Sequence, residues 1–341
     1  LGDVYKRQVF SFEYYYKTTK DMLLAAPMPI YMGYASNTYT NIGEANNRGI
    51  EMNLEWRDKT ESGFEYNVGV NMSTIRNRMT KLNGGTPISD GPFRNGSMYL
   101  TYTNEGMPIG AFWGYKTDGL IQTQEQLNAV KRADFQPNAE LGDVLFVDTN
   151  GDGKLDSSDR CMIGNPIPDI IYGINMGMAW KGFDLNLQFG GTIGNQIFNA
   201  MRYYTYFPND ITNKDRALMN YWTPNNTNTD IPRLTATDVN DNDRFSDMYV
   251  ENGTYFRLRN AQLGYTLPAS LTQRIKLQKV RFYVSGQNLF TISSYSGMDP
   301  EVGQSSSLSR GIDYGIYPQN ISFTGGINAV SYTHLTLPTI R

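Results

Sequence analysis

The chain has 341 residues with 30 Lys and Arg against 33 Asp and Glu, a net charge of −3, so no basic footprint marks a nucleic-acid partner. Thirty-three Gly, 24 Tyr and 16 Phe with only 18% charged residues point to a β-rich, turn-rich chain, and the single cysteine, Cys161, excludes an internal disulfide framework. A mean hydropathy of −0.47 without a long apolar run excludes a membrane-spanning helix. It does not exclude a β-barrel, whose strands face lipid with every second residue only.

The first strand is written in Phe10, Phe12, Tyr14 and Tyr16, alternating with Ser11, Glu13 and Lys17. Residues 23–46 read as a loop. Ile50, Met52, Leu54 and Trp56 then alternate with Glu51, Asn53, Glu55 and Arg57. After a polar turn near Asp58, Phe64, Tyr66, Val68, Val70 and Met72 alternate with Glu65, Asn67, Gly69, Asn71 and Ser73, which makes a hairpin. From Arg78 to Asp169 the pattern is irregular, with a short helix predicted over 123–132. A second hairpin follows: Tyr172, Ile174, Met176, Met178 and Trp180 turn through Lys181 and Gly182 into Phe183, Leu185, Leu187 and Phe189. Residues 192–253 are polar and rich in Asn, Asp and Tyr. The strand over 254–267 changes phase, with Phe256 and Leu258 on one face and Ala261, Leu263 and Tyr265 out of step, so a bulge is predicted near Asn260. Val280, Phe282 and Val284 continue, a loop spans 291–318, and Ile321, Phe323 and Ile327 mark the last strand.

The connections alternate strictly. Those near Asp58, near Lys181 and over 268–277 are short; those at 23–46, 78–169, 192–253 and 291–318 are long. All short turns therefore lie at one end of eight antiparallel strands, as in outer-membrane barrels with short periplasmic turns and long extracellular loops. Trp56, Phe64, Trp180 and Phe183 sit beside short turns on the apolar face, where an interfacial aromatic girdle belongs. A soluble β-sandwich with ordinary core aromatics is the alternative.

Within the 78–169 insert, residues 148–159 fit a calcium-loop pattern. Asp148, Asn150 and Asp152 occupy positions 1, 3 and 5, Gly153 takes the sharp turn, Lys154 offers its backbone carbonyl, and Asp156 and Asp159 fill positions 9 and 12. Alternate spacing points the oxygens of a short loop inward, as a hard cation requires. Position 12 is Asp rather than Glu, and its shorter arm implies modest Ca2+ affinity. The other reading is a loop of Asx turns held by its own side-chain to backbone bonds. Catalysis finds little support: the one histidine, His334, lies in the terminal tail, leaving Ser–His and Cys–His mechanisms without a base, and no phosphate-binding glycine motif is present. Tyr203, Tyr204, Tyr206, Phe207, Trp222, Asn225 and Asn226 in the long loops are of the types that stack on and hydrogen-bond a sugar or peptide.

The segment from Gly142 through Asp148 to Arg160, the following Ile163-Gly-Asn-Pro-Ile-Pro-Asp169, Tyr172-Gly-Ile-Asn175 and Trp180-Lys-Gly-Phe-Asp-Leu185 stand in a fixed order. With Asn104-Glu-Gly-Met-Pro-Ile-Gly110, Gly114-Tyr-Lys-Thr-Asp-Gly119 and Gly297-Met-Asp-Pro-Glu-Val-Gly303, this order resembles SusC/RagA-type TonB-linked outer-membrane transporters over about residues 9–330. The resemblance implies an all-β fold, the C-terminal part of a large antiparallel transmembrane β-barrel with long extracellular loops. It further implies TonB-dependent import of glycans or peptides, a SusD-like surface lipoprotein as partner, outer-membrane lipid around the wall, and TonB contact through an N-terminal part and plug absent from this chain. A passive porin-like channel and a soluble calcium-dependent carbohydrate-binding β-sandwich are the alternatives. Residues 1–8 and 331–341 lack the alternation of their neighbours and are expected to be non-native ends.

Overall fold

A computed structural model of the chain describes residues 7–26, 38–82, 87–207, 213–303 and 306–331. The expected non-native ends, and His334, fall almost wholly outside the described residues.

In chain order the elements are β1 (Gln8–Ala26), β2 (Thr38–Lys59), β3 (Glu65–Thr74), β4 (Arg76–Leu82), β5 (Ile88–Phe93), β6 (Met98–Thr103), β7 (Ala111–Gly114) and β8 (Thr117–Leu120). Then come α1 (Gln124–Arg132), β9 (Val144–Phe146), β10 (Cys161–Gly164), β11 (Ile170–Trp180), β12 (Phe183–Ile193), β13 (Gln196–Asn199) and α2 (Ala200–Tyr206). The last are β14 (Val250–Asn252), β15 (Tyr255–Thr266), β16 (Lys279–Ser293), β17 (Ile312–Asp313) and β18 (Ser322–Val330).

Eight strands form one antiparallel meander in the order β1-β2-β3-β11-β12-β15-β16-β18, and β4 prolongs β3 alongside β2. Sequence neighbours pair because their connections at one end are short. The tightest is Lys181-Gly182, where both residues take positive φ (+47° and +91°) between the closing pair Trp180 and Phe183. That is the twist a two-residue hairpin demands. The eight predicted strands and their partners are those observed. The predicted bulge is Arg259: Leu258 and Asn260 face consecutive residues Phe189 and Gln188 of β12, and Arg259 faces none. This extra residue restores the phase, so Leu258 and Ala261 both join the apolar face.

Register makes the two faces continuous across strands. Leu54, Val70, Ile174, Phe189, Leu258 and Phe290 run across neighbouring strands as one row, and Trp56, Val68, Met176 and Leu187 belong to another. The other face carries Asn53, Asn71, Gly173, Asn175, Gln188, Asn260 and Gln287. Among the described residues nothing covers the apolar face: Phe10, Phe12, Trp180, Phe183, Val284 and Phe323 are all exposed on a single-layer sheet. This overturns the β-sandwich alternative, which needs a second sheet over that face. The expected girdle residues Trp56, Trp180 and Phe183 lie outward at the short-turn end. β1 and β18 are the two edges of an open sheet.

The long connections differ from expectation in two ways. First, the loop placed at 23–46 is shorter, because β1 and β2 stay paired from Thr38–Ala26 down the whole ladder, with an irregularity at Met22. Second, the other three do not hang as separate loops. β10-β7-β6-β5 form one sheet, β13 joins β14 on one side and β17, from the last insert, on the other. Phe93, Leu100 and Phe112 from the first insert, Phe198, Tyr203, Phe245 and Tyr249 from the second, and Ile312 from the third share one buried core. Phe93 meets Phe198 and Tyr203 edge-on at ring distances of 5.3 and 5.0 Å. The three inserts are one cap. The predicted helix is α1, its Thr123 N-cap and Gln126 forming a reciprocal capping box.

Candidate functional site

Residues 148–159 form a compact loop at the cap surface, with Gly151 and Gly153 at φ +77° and +78°. Asp148 Oδ1 and Oδ2 accept the Gly151 and Gly153 N–H groups at 2.6 and 2.8 Å. Asn150 Oδ1 accepts the Asp152 N–H, and Asp152 Oδ1 accepts the Lys154 N–H. Asn150 Nδ2 donates to Asp152 Oδ2 and Ser158 Oγ. Asp156 Oδ1 accepts both N–H and hydroxyl of Ser158, whose donation holds its carboxyl below the usual range. Asp159 is fully buried and accepts the Thr149 and Asp156 N–H groups.

The expected ligands are thus neighbours, tied by Asx-type bonds. Among the described residues no three His, Cys, Asp or Glu side chains converge on one point as metal ligands. The donor set itself is all oxygen, the class Ca2+ takes, and each carboxylate oxygen accepting one N–H keeps a second lone pair.

The loop aromatics of ligand-stacking type divide between core and surface. Tyr203, Phe207 and Trp222 are buried; Trp222 Nε1 donates to Gln122, and its ring packs against Gly142, where a Cβ would come within 2.2 Å. Burial pushes the Tyr203 and Tyr249 hydroxyls far up, so both stay neutral, and Tyr203 donates to the Asp243 carbonyl. Asn226 is spent on the Asn220 and Tyr221 carbonyls of its own turn.

Several family-like motifs instead join the inserts. Asp143, fully buried, accepts Arg233 Nε at 2.7 Å and Asn242 Nδ2 at 3.1 Å from the second insert. Thr117 bonds Asp247 through both N–H and hydroxyl. Asp299 and Glu301 clamp the third insert onto the barrel wall: Arg257 of β15 donates to Asp299 Oδ1 at 2.5 Å, Glu301 Oε2 at 2.9 Å and Thr291 Oγ1 at 2.8 Å. The bulge residue Arg259 reaches Glu301 Oε1 at 3.2 Å. Burial pushes the Asp299 carboxyl up, but the Gln319 and Glu301 N–H groups and the Arg257 guanidinium outweigh it and hold it below the ordinary range. Composition gave no sign of these partners, which lie as far as 130 residues apart.

Towards the short turns, the polar face carries Arg57, Lys59, Glu65, Asp184 and Arg281. Asp184 takes Arg281 Nε at 2.9 Å, and Lys59 pairs with Glu65 at 2.7 Å. A sheet that is apolar and bare outside, charged and hydrogen-bonded inside, and capped at one end by condensed inserts is a segment of an outer-membrane barrel wall.

Residues 2–158 match the family "TonB dependent receptor-like, beta-barrel". The TonB-dependent receptor P3 of Formosa agariphila is 37% identical over 334 residues, covering 94% of this chain and 32% of the relative. The TonB-dependent receptor SusC of Bacteroides thetaiotaomicron is 26% identical, covering 92% of this chain and 29% of that protein. Among solved structures, the RagAB peptide transporter superposes with a TM-score of 0.74 at 25% identity, over 94% of this chain and 33% of that one. The chain belongs to the β-barrel family of TonB-dependent receptors, of the SusC/RagA type, and spans about a third of the length of the relatives it matches.

Proposed function

We propose that this chain is wall and extracellular cap of an outer-membrane importer that takes up glycans or peptides by TonB-dependent transport, with a SusD-like lipoprotein over the cap. One observation carries this reading: the eight-stranded wall separates an apolar from a polar face, and three long inserts condense at the end opposite the short turns. Such a wall lines a polar passage, and a folded cap offers a partner a firm surface. Relatives named as a peptide transporter and as SusC support the substrate range and the partner. Catalysis is no part of the proposal, since the relatives are named as receptors and transporters.

Two measurements test it on the receptor that carries this chain. Single cysteines at Asn225 and Ser157, in a Cys161→Ser background, label on intact cells, whereas cysteines at Lys59 and Lys181 label only once the outer membrane is opened. Equal labelling refutes the orientation. Uptake of a fluorescent oligosaccharide or peptide stops when the proton gradient is collapsed; uptake that continues supports a passive channel instead.

We further propose that the 148–159 loop holds one Ca2+ through Asp148, Asn150, Asp152, the Lys154 carbonyl, Asp156 and Asp159. The ion would offset the repulsion of four carboxylates and stiffen the insert.

A further inference from the structure

Towards the cap, the lipid-facing band of β2 and β4 ends in arginines. Arg48 of β2 is the register partner of Arg76 of β4, and Arg78 is the partner of Asn46. The ladder between β2 and β3–β4 keeps one register from Trp56 to Asn46, so Arg48 and Asn46 share the face of Ile50, Met52, Leu54 and Trp56. At this level the opposite face is closed. Ala45 and Met79 are buried in a core with Leu24, Leu82 and Ile88, and Asn77 Nδ2 donates to Asn47 Oδ1.

The three arginines therefore point outward, and with Tyr16, Asn46 and Thr80 they line an open depression of about 560 Å³. All three are exposed. Among the described residues Arg48 and Arg78 have no ion-pair partner, and Arg76 has a loose one, Asp169 at 3.7 Å.

Height along the wall decides what can reach them. Trp56, at the short-turn girdle, is eight residues from Arg48, roughly 27 Å along the strand at ~3.4 Å per residue. At a strand tilt of ~40° this is ~21 Å along the membrane normal, close to the ~25 Å apolar band of such barrels. The arginines stand where headgroups begin, beside Tyr16, whose hydroxyl accepts from Asn46 Nδ2 at 2.5 Å as an interfacial tyrosine does. Guanidinium groups match phosphate oxygens in paired hydrogen bonds, and three of them round one depression call for more than one negative charge.

We propose that Arg48, Arg76 and Arg78 form a docking site for the phosphate groups of an anionic glycolipid in the outward leaflet. The assignment rests on the outer-membrane reading, with the long connections facing outward. A membrane lipid is favoured over a soluble phosphate because the site continues the lipid-facing band without a break.

The test uses the receptor carrying this chain, purified in detergent, with bisphosphorylated lipid A as probe and its dephosphorylated form and inorganic phosphate as comparisons. Wild type is expected to bind the bisphosphorylated form at least tenfold more tightly than the dephosphorylated one. The Arg48→Gln/Arg76→Gln/Arg78→Gln variant is expected to lose that preference, and the corresponding lysine variant, which keeps the charge without the paired geometry, to keep part of it. Heat-modifiable migration of all variants confirms a folded barrel. A preference that survives the glutamine variant, no preference in wild type, or binding of inorganic phosphate as tight as that of the lipid overturns the site. Failure of wild type to insert in the outer membrane at all refutes instead the reading on which the site rests.

Discussion

Replacing Arg257 by Met tests whether the third insert is held to the wall by a buried ion cluster. The Arg257 and Asp299 side chains are 3% and 4% exposed, whereas Glu301 and Arg259 are 36% and 44% exposed. Loss of one partner from a buried pair costs about 3–5 kcal/mol, because the other charge stays desolvated and uncompensated. A half-exposed pair contributes only ~0–1 kcal/mol. Asp299 would keep the Gln319 and Glu301 N–H bonds, so about 3 kcal/mol is the relevant end of the range, or roughly a hundredfold in an opening equilibrium. The strand ladders are untouched, so the opening is local. In the detergent-purified receptor, hydrogen exchange over residues 294–321 is expected to speed up about a hundredfold in Arg257→Met and less than about fivefold in Arg259→Met. Arg257→Met/Asp299→Asn, which removes both charges, recovers much of the protection. Acid gives a second reading. The Asp299 carboxyl titrates below the ordinary carboxylate value of about 3.9, so its contribution is complete above that pH and fades only as pH falls through the depressed value. Protection should therefore be flat from pH 8 to 5. Equal effects of the two arginine variants would refute the burial argument.

Three further outcomes are expected. Asp148→Asn/Asp152→Asn abolishes calcium-dependent protection of residues 78–169 from protease while the barrel strands persist; protection indifferent to chelator in the unmutated receptor would show that the loop is only a turn. Gly142→Ala destabilises the cap by at least ~2 kcal/mol, because φ is +85° and the new Cβ would meet the Trp222 ring, and red-shifted tryptophan emission reads it; an unchanged spectrum and protease pattern refute the packing. Residues 9–330 expressed alone aggregate, since β1 and β18 leave two open edges whose unpaired backbone groups each cost several kcal/mol in lipid; a monodisperse, heat-modifiable species of this length would contradict that.

The sequence by itself determined the wall. A half-lipid, half-polar sheet forces strict alternation on every strand, so strand number, order, the short-turn end and even the Arg259 bulge are written in local residue types. Helix α1 was legible for the same local reason, its capping box lying within four residues. Only the tertiary structure decided the rest. β1 and β2 run on past their apolar stretch, where polar residues on the outward face erase the period on which strand reading depends. Tyr203, Phe207 and Trp222, exposed loop aromatics by sequence, become core because three inserts that are remote in the chain bury them together. Asp143 and Asp299 look like two more loop carboxylates until Arg233 and Arg257 arrive from 90 and 42 residues away. Local chemistry sets a strand's two faces, but which buried charge meets which partner depends on loop closures that no short stretch of sequence encodes.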